Sequence, residues 1–160
     1  MTTSERPESC NLCALIERIR AGKVPDLVAE LPHGWLILGD QQKYRGYCIL
    51  FAKTHARELY ELPRAEANAL MDEMVRAAEA IAAITHPWKM NYACLGNQEP
   101  HVHWHLHPRT ADDPFRMGPV WINPAYQKLV KLEENDRREL MAALRREIKK
   151  KIPDAILPRD

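Results

Sequence analysis

Residues 101 to 107 read His-Val-His-Trp-His-Leu-His, followed by Pro108 and Arg109, and they hold four of the chain's seven histidines. Side chains on a β-strand alternate between its two faces. A strand here sets His101, His103, His105 and His107 on one face, with rungs about 6.5–7 Å apart. Val102, Trp104 and Leu106 then point the other way, where they can pack against a core. Burying four imidazoles without hydrogen-bond partners would cost on the order of 1–3 kcal/mol each, and exposing all four would waste a well-anchored strand. The pattern therefore points to chemistry, and spacing alone leaves two kinds open. Alternating imidazoles are good ligands for zinc, copper or iron. A neutral imidazole, with an ordinary pKa of about 6.5, is also a fair nucleophile toward phosphorus at neutral pH. Its neighbours can set its tautomer and meet the charge of a phosphoryl transition state.

A second group of residues has ligand chemistry. Cys10-Asn11-Leu12-Cys13 is a C-x-x-C pair, which reads as half of a zinc site or as a redox motif. Cys48 and Cys94 lie in apolar runs and are expected to be buried small hydrophobes.

The elements that must hold these groups follow from the apolar pattern. Leu12, Leu15, Ile16 and Ile19 recur at helical spacing over residues 10–21, and Gly22 is a plausible stop. Short strands are predicted at 27–31 and 35–38, joined by a turn at His33-Gly34, and another at 47–52. Pro63 suits the first turn of a helix that runs to about residue 84 and ends before Pro87; its apolar stripe passes through Leu70, Met74, Ala77, Ala78 and Ile81. A strand at 90–95 and a tight loop at 96–100 precede the histidines. Residues 110–125 read as a loop in which Trp121-Ile122 should pack on something. From Pro124 the chain is predicted to be helical in two pieces with a break near Asn135, the last piece (137–151) being a charged amphipathic helix. Arg145, Arg146 and Lys149 to Lys151 on it could also meet phosphates.

The chain has 160 residues, 46% hydrophobic and 28% charged, with a formal net charge of +1. That fits one ordinary globular domain and argues for neither nucleic acid nor a membrane as partner. Thr2 to Ser9 is polar and lacks the apolar centre of a signal peptide, and no run approaches the roughly 20 apolar residues of a membrane span. The cytosol, with its thiols reduced, is the expected location.

His101-Val-His103-Trp-His105-Leu-His107-Pro-Arg109 resembles the signature of the histidine triad superfamily of nucleotide hydrolases and transferases, in which histidines alternate with apolar residues and Pro-Arg often follows. Asn91 to Asn97 resembles the Asn and Gly-Asn elements that precede the triad in these proteins. Gly46-Tyr47-Cys-Ile-Leu-Phe-Ala-Lys53-Thr-His55 resembles their Gly-His-(four apolar)-Pro-Lys-x-His strand. Bacterial proteins of the diadenosine tetraphosphate hydrolase type are the nearest in pattern. The chain departs from it where Tyr47 replaces His after Gly46, where Ala52 replaces Pro before Lys53, and where His107 stands in place of an apolar residue. The first two are read as tuning the start and end of the strand, and His107 as facing solvent.

The resemblance implies an α+β fold: an antiparallel five-stranded sheet with a long helix on one face. Residues 1–122 would form the triad domain and 123–160 a helical C-terminal extension of it. It implies hydrolysis of a phosphoanhydride or phosphoramidate bond to a nucleoside monophosphate, with dinucleoside polyphosphates as first candidates, through a covalent nucleotidyl-histidine. Nucleotidyl transfer, or nucleotide-binding regulation with little turnover, are the alternatives. His103 would be the nucleophile, His105 would position the phosphate and handle the leaving group's proton, and His101 would stand behind the nucleophile. Asn91, Asn97 and Gln98 would contact phosphate or ribose, Asp40 the ribose hydroxyls, and Leu36 or Leu38 would flank the base. One branch of the family holds a structural zinc, and the corresponding ligands here are Cys10, Cys13, His55 and His101. The chemistry itself would need no metal. A homodimer with the sheet extended across both subunits is the implied assembly.

Overall fold

The computed structural model describes residues 10–158, so the polar stretch from Thr2 to Ser9 lies outside the described residues. In chain order the elements are α1 (Asn11–Arg20), β1 (Leu27–Glu30), β2 (Gly34–Leu38), β3 (Cys48–Ala52), α2 (Arg64–Thr85), β4 (Lys89–Ala93), β5 (His103–Arg109) and α3 (Glu134–Lys151). The strands form one antiparallel sheet in the order β1-β2-β3-β5-β4. The architecture is α+β, an open five-stranded sheet with three helices.

Alternation divides the sheet into two unlike faces. Leu36, Leu38, Leu50, Val102, Trp104 and Leu106 point to one side, where Leu70, Met74, Ala77 and Ile81 of α2 and Leu140, Leu144 and Ile148 of α3 close over them. Each buried leucine there contributes about 1.5–3 kcal/mol. This layer, rather than the charged surface of α3, decides where that helix lies. On the other side Trp35 and Phe51 meet Ile16 and Ile19 of α1, with Leu12, Leu15, Ile37 and Ile49 packed around them. Phe51 pairs in register with His103 and Ile49 with His105, so the histidine row continues the α1 face.

The basic end of α3 is occupied by the fold. Lys149 donates to the carbonyls of Pro153 and Ala155, both at 2.7 Å, and so closes the helix end. Lys150 pairs with Glu147 and Lys151 with Glu79. The chain then returns to the outer edge of β1, where Ile156 and Glu30 exchange two backbone hydrogen bonds. The opposite edge, β4, has no such cover among the described residues.

Four expectations change. The ladder strand begins at His103 and runs through Arg109, because the N–H of His101 is taken by Glu99 O and that of Val102 by Ala56 O. The C-terminal helix does not break near Asn135. A short 3-10 turn at Pro124–Gln127 is followed by extended chain, and Asn135 lies in the first turn of α3. Gln41 explains this: its amide donates to Tyr126 O and Lys128 O and accepts from Val130 N, and Gln42 N donates to Val130 O. Those backbone groups are thereby withdrawn from a helix. Trp121 and Ile122 stay half-exposed while Val120 is the buried residue. Cys48 is buried as expected, but Cys94, at the end of the open edge strand, is exposed.

Arg109 is fully buried, and each of its side-chain hydrogen bonds goes to the loop beyond it or to β4. It donates to Asp113 through Nε and Nη2 (2.9 and 2.6 Å), to Phe115 O and Gly118 O, and to Asn91 Oδ1 at 2.8 Å. Burial alone would raise the Asp113 pKa, but the Phe115 N–H, the Tyr44 hydroxyl and Arg109 hold it below the usual carboxylate range. A buried charge with a full set of partners fixes one arrangement of the loop. Among the described residues no helix is long and apolar enough to cross a membrane.

Candidate functional site

β5 places His103, His105 and His107 along the floor of a cleft of about 590 Å³. Asn97, Gln98 and Glu99 form one wall, and Trp121, Tyr126 and Gln127, on the loop anchored by Arg109, form the other. His103 Nδ1 lies 2.7 Å from the carbonyl oxygen of His101. A carbonyl can only accept, so Nδ1 carries the proton and, in the neutral ring, Nε2 keeps its lone pair. His103 Nε2 lies 3.2 Å from His105 Nε2, so His105 must be the donor in that contact. Burial first, and then the charge of His103, lower the His105 pKa to about 4. Near neutral pH it is an uncharged ring that offers an N–H.

The first histidine is turned to another task. The Nδ1 of His101 faces Cys10 Sγ at 3.4 Å, Cys13 Sγ at 3.6 Å and His55 Nδ1 at 3.3 Å, and His55 Nδ1 is 3.4 Å from Cys13 Sγ. All four ligand atoms lie within 4.8 Å of one another. A tetrahedral zinc with ordinary Zn–N and Zn–S lengths would set N···N edges of about 3.3 Å and N···S edges of about 3.5 Å, so these donors fit that ion. His101 Nε2 is 2.9 Å from Ala52 O and must be its protonated nitrogen, which leaves the lone pair on Nδ1, facing the sulfurs. Burial, with the charges of His55 and His103, lowers the His101 pKa to about 4 despite that carbonyl.

The other expected residues divide. Asn97 and Gln98 line the cleft and are exposed. Asn91, opposite His107 on β4, has its oxygen bound to Arg109 and serves the loop anchor, lining a separate hollow. Asp40 is exposed at the end of β2, close enough for its charge to act on Tyr47 and Tyr126. Leu36 and Leu38 cannot flank a ligand beside the triad, because their parity on β2 puts them in the α2–α3 core; Trp35 and Ile37 are the β2 residues on the histidine face, and Ile37 is the less buried of the two. His107 does not face solvent: it is 2% exposed, stacked on Tyr47 with ring centres 4.1 Å apart, and its Nε2 is 2.8 Å from the Tyr126 hydroxyl.

Sequence reasoning missed the aromatic side of the site. Tyr126, Trp121 and Gln127 lie in a stretch read as loop and helix, with no motif to mark them. Tyr47 did carry a signal, since it stands where the resemblance expects histidine.

A family model described as the HIT domain matches residues 23–112, more than half of the chain and including the whole strand of histidines. The chain belongs to the histidine triad (HIT) family. The family includes nucleotide hydrolases and transferases. Solved structures of histidine triad proteins agree with the fold. One from Bradyrhizobium japonicum is 26% identical with a TM-score of 0.70, over 81% of this chain and 94% of that one. One from Marinobacter aquaeolei VT8 is 28% identical with a TM-score of 0.69, over 84% and 94%. A Zn-bound member from Mycobacterium smegmatis is 23% identical with a TM-score of 0.60, over 89% and 94%. No curated protein matches the chain.

In this histidine triad protein the buried His107 has a consequence for stability. Burial first, then the charges of His105 and Arg109, lower its pKa to about 3, against about 6.5 in the unfolded chain. Between those values the unfolded state binds the extra proton. Stability is therefore full above pH 6.5 and is lost as pH falls toward 3, by about 1.4 kcal/mol per pH unit from this residue. Chemical denaturation of His107→Phe between pH 6.5 and 5 should show a slope shallower by that amount. An unchanged slope would refute the assignment.

Proposed function

We propose that this protein hydrolyses a phosphoanhydride or phosphoramidate bond to a nucleoside monophosphate, dinucleoside polyphosphates being the first candidates. One observation carries the reading: His103 holds its proton on Nδ1 against the His101 carbonyl, which leaves Nε2 as a lone pair at the cleft floor. Nε2 attacks the α-phosphorus, the bond to the bridging atom breaks, and the leaving group departs with the bonding electrons. The resulting nucleotidyl-histidine bears its positive charge on a ring whose Nδ1–H stays bonded to the carbonyl. Water then attacks the phosphorus, the P–N bond breaks, the nucleoside monophosphate leaves with the water's oxygen and its surplus proton passes to solvent, which restores His103. With phosphate in the cleft the N–H of His105 turns from His103 Nε2 to a phosphoryl oxygen, where its stabilisation grows with transition-state charge. A leaving group that departs as a phosphate needs no proton, which suits a neutral His105; an amine leaving group would take one from solvent.

Asn97 and Gln98 would contact phosphate from the facing wall, and Asp40 with Ile37 would hold ribose and base from outside the residues that line the cleft. Asn91 is not retained as a ligand contact. His101 contributes its carbonyl to the nucleophile and its ring to a zinc site with Cys10, Cys13 and His55. Zinc would supply a fixed structural cross-link between α1 and the approach to β5, with no part in the reaction. The donor geometry supports this, as does the Zn-bound relative. A homodimer is proposed through the β4 edge, the one left open, where Trp88 and Tyr92 are about half exposed.

With diadenosine tetraphosphate as substrate, His103→Ala should lose turnover by a factor on the order of 10⁴ or more; retained turnover would end the nucleophile assignment. Purified protein should carry one equivalent of zinc by elemental analysis, and the Cys10→Ser/Cys13→Ser variant should lose both the zinc and thermal stability. Wild-type protein expressed with zinc and found free of it would exclude the site. Light scattering should give twice the monomer mass, and Tyr92→Asp should lower it toward one chain; a monomeric wild type would exclude the dimer.

A further inference from the structure

Two departures from the family's pattern, Tyr47 and His107, are each other's partners. Their rings are stacked within 3° of parallel. On its other side the Tyr47 ring lies against Gly39, where any Cβ would collide with it. Gly46, just before it, has φ 93°, and a Cβ there would lie 2.6 Å from Thr85 Cγ2, so the turn that delivers Tyr47 is open to glycine alone. Gln42 ties that turn together by accepting from Gly46 N and donating to Gly39 O and Tyr47 O. Tyr47 is 4% exposed and held on every side. Its hydroxyl lies 2.6 Å from His105 Nδ1.

The directions of these hydrogen bonds are forced in sequence. His103 Nδ1–H donates to the His101 carbonyl, and His105 Nε2–H donates to His103 Nε2. A neutral His105 then has a bare Nδ1, so the Tyr47 hydroxyl must be the donor to it. The Tyr126 hydroxyl is paired with His107 Nε2. The geometry points to Tyr47 as the positioning residue of this triad: its phenol, braced between Gly39 and His107, donates to His105 Nδ1 and so keeps the His105 proton on Nε2, aimed at the substrate phosphate. The assignment rests on the hydrolase reading for its effect on rate, but not for the tautomer itself. A phenol is suited to the task. Burial pushes its pKa up from the ordinary value, so it stays protonated through the neutral range. An imidazole in its place would titrate.

The experiment is nitrogen-15 NMR of the histidine rings beside steady-state kinetics with diadenosine tetraphosphate. In the wild type His105 should be a single Nε2–H tautomer and His103 a single Nδ1–H tautomer. Tyr47→Phe keeps the stacked ring and removes the hydroxyl. His105 should then become a tautomer mixture while His103, anchored by a backbone carbonyl, stays as it was. kcat should fall about 10-fold with KM within about 2-fold, the scale expected for one hydrogen bond. Tyr47→His should recover both the tautomer and most of kcat. A wild-type His105 protonated on Nδ1 overturns the proposal, as does a Tyr47→Phe variant that keeps either the wild-type tautomer or the wild-type kcat. Should the wild type not turn over, the hydrolase reading fails and the tautomer measurement alone decides this one.

Discussion

The carbonyl oxygen of His101 can accept a hydrogen bond but cannot donate one, and His103 Nδ1 meets it at 2.7 Å. That constraint orders the rest of the site. It puts the lone pair of His103 on Nε2, makes His105 a donor to it, and makes the Tyr47 hydroxyl a donor to His105. It also explains why the strand starts at His103 rather than His101. The peptide at 101–102 is held in a bend by Glu99 O and Ala56 O, and only from that bend does the carbonyl sit beneath the next imidazole. One residue thus serves two centres, its backbone acting on His103 and its ring on the cysteine cluster.

The energetics divide between layers. The apolar face of the sheet, closed by α2 and α3, supplies the stabilisation that assembles the molecule. The polar groups on the other side add specificity, since a buried charge or imidazole is tolerated only in the arrangement that satisfies it. Arg109 is the clearest case. Its bonds to Asp113, Asn91 and the carbonyls of Phe115 and Gly118 hold Trp121 and Tyr126 over the triad, so the cleft's outer wall is set by a buried ion pair that does not itself line the cleft.

Some of this was readable in the residues and some was not. Period-two alternation over residues 101–107 announces a strand with an imidazole face, and the family resemblance implies a ligand set of Cys10, Cys13, His55 and His101 that the fold does bring within 4.8 Å. The sequence gives no sign of which face Leu36 and Leu38 occupy, because β2 is apolar on both sides: Trp35 and Ile37 are as hydrophobic as their neighbours. Nothing local to Asn91 shows that Arg109, 18 residues later, claims its oxygen. Nothing local shows the burial of His107 either, because its cover comes from Tyr47 and Tyr126, both distant in sequence.

The sequence by itself determined which residue types could do chemistry, the strand that carries them and the apolar faces that must be buried, because these depend on residue type and local period. The tertiary structure alone decided which nitrogen of His101, His103 and His105 holds a proton, which face of β2 meets the site, and that Tyr47 and His107 stack on each other. Those depend on hydrogen-bond partners and ring contacts between segments tens of residues apart. No periodicity encodes them; they exist only once β3, β5 and the loop held by Arg109 are packed together.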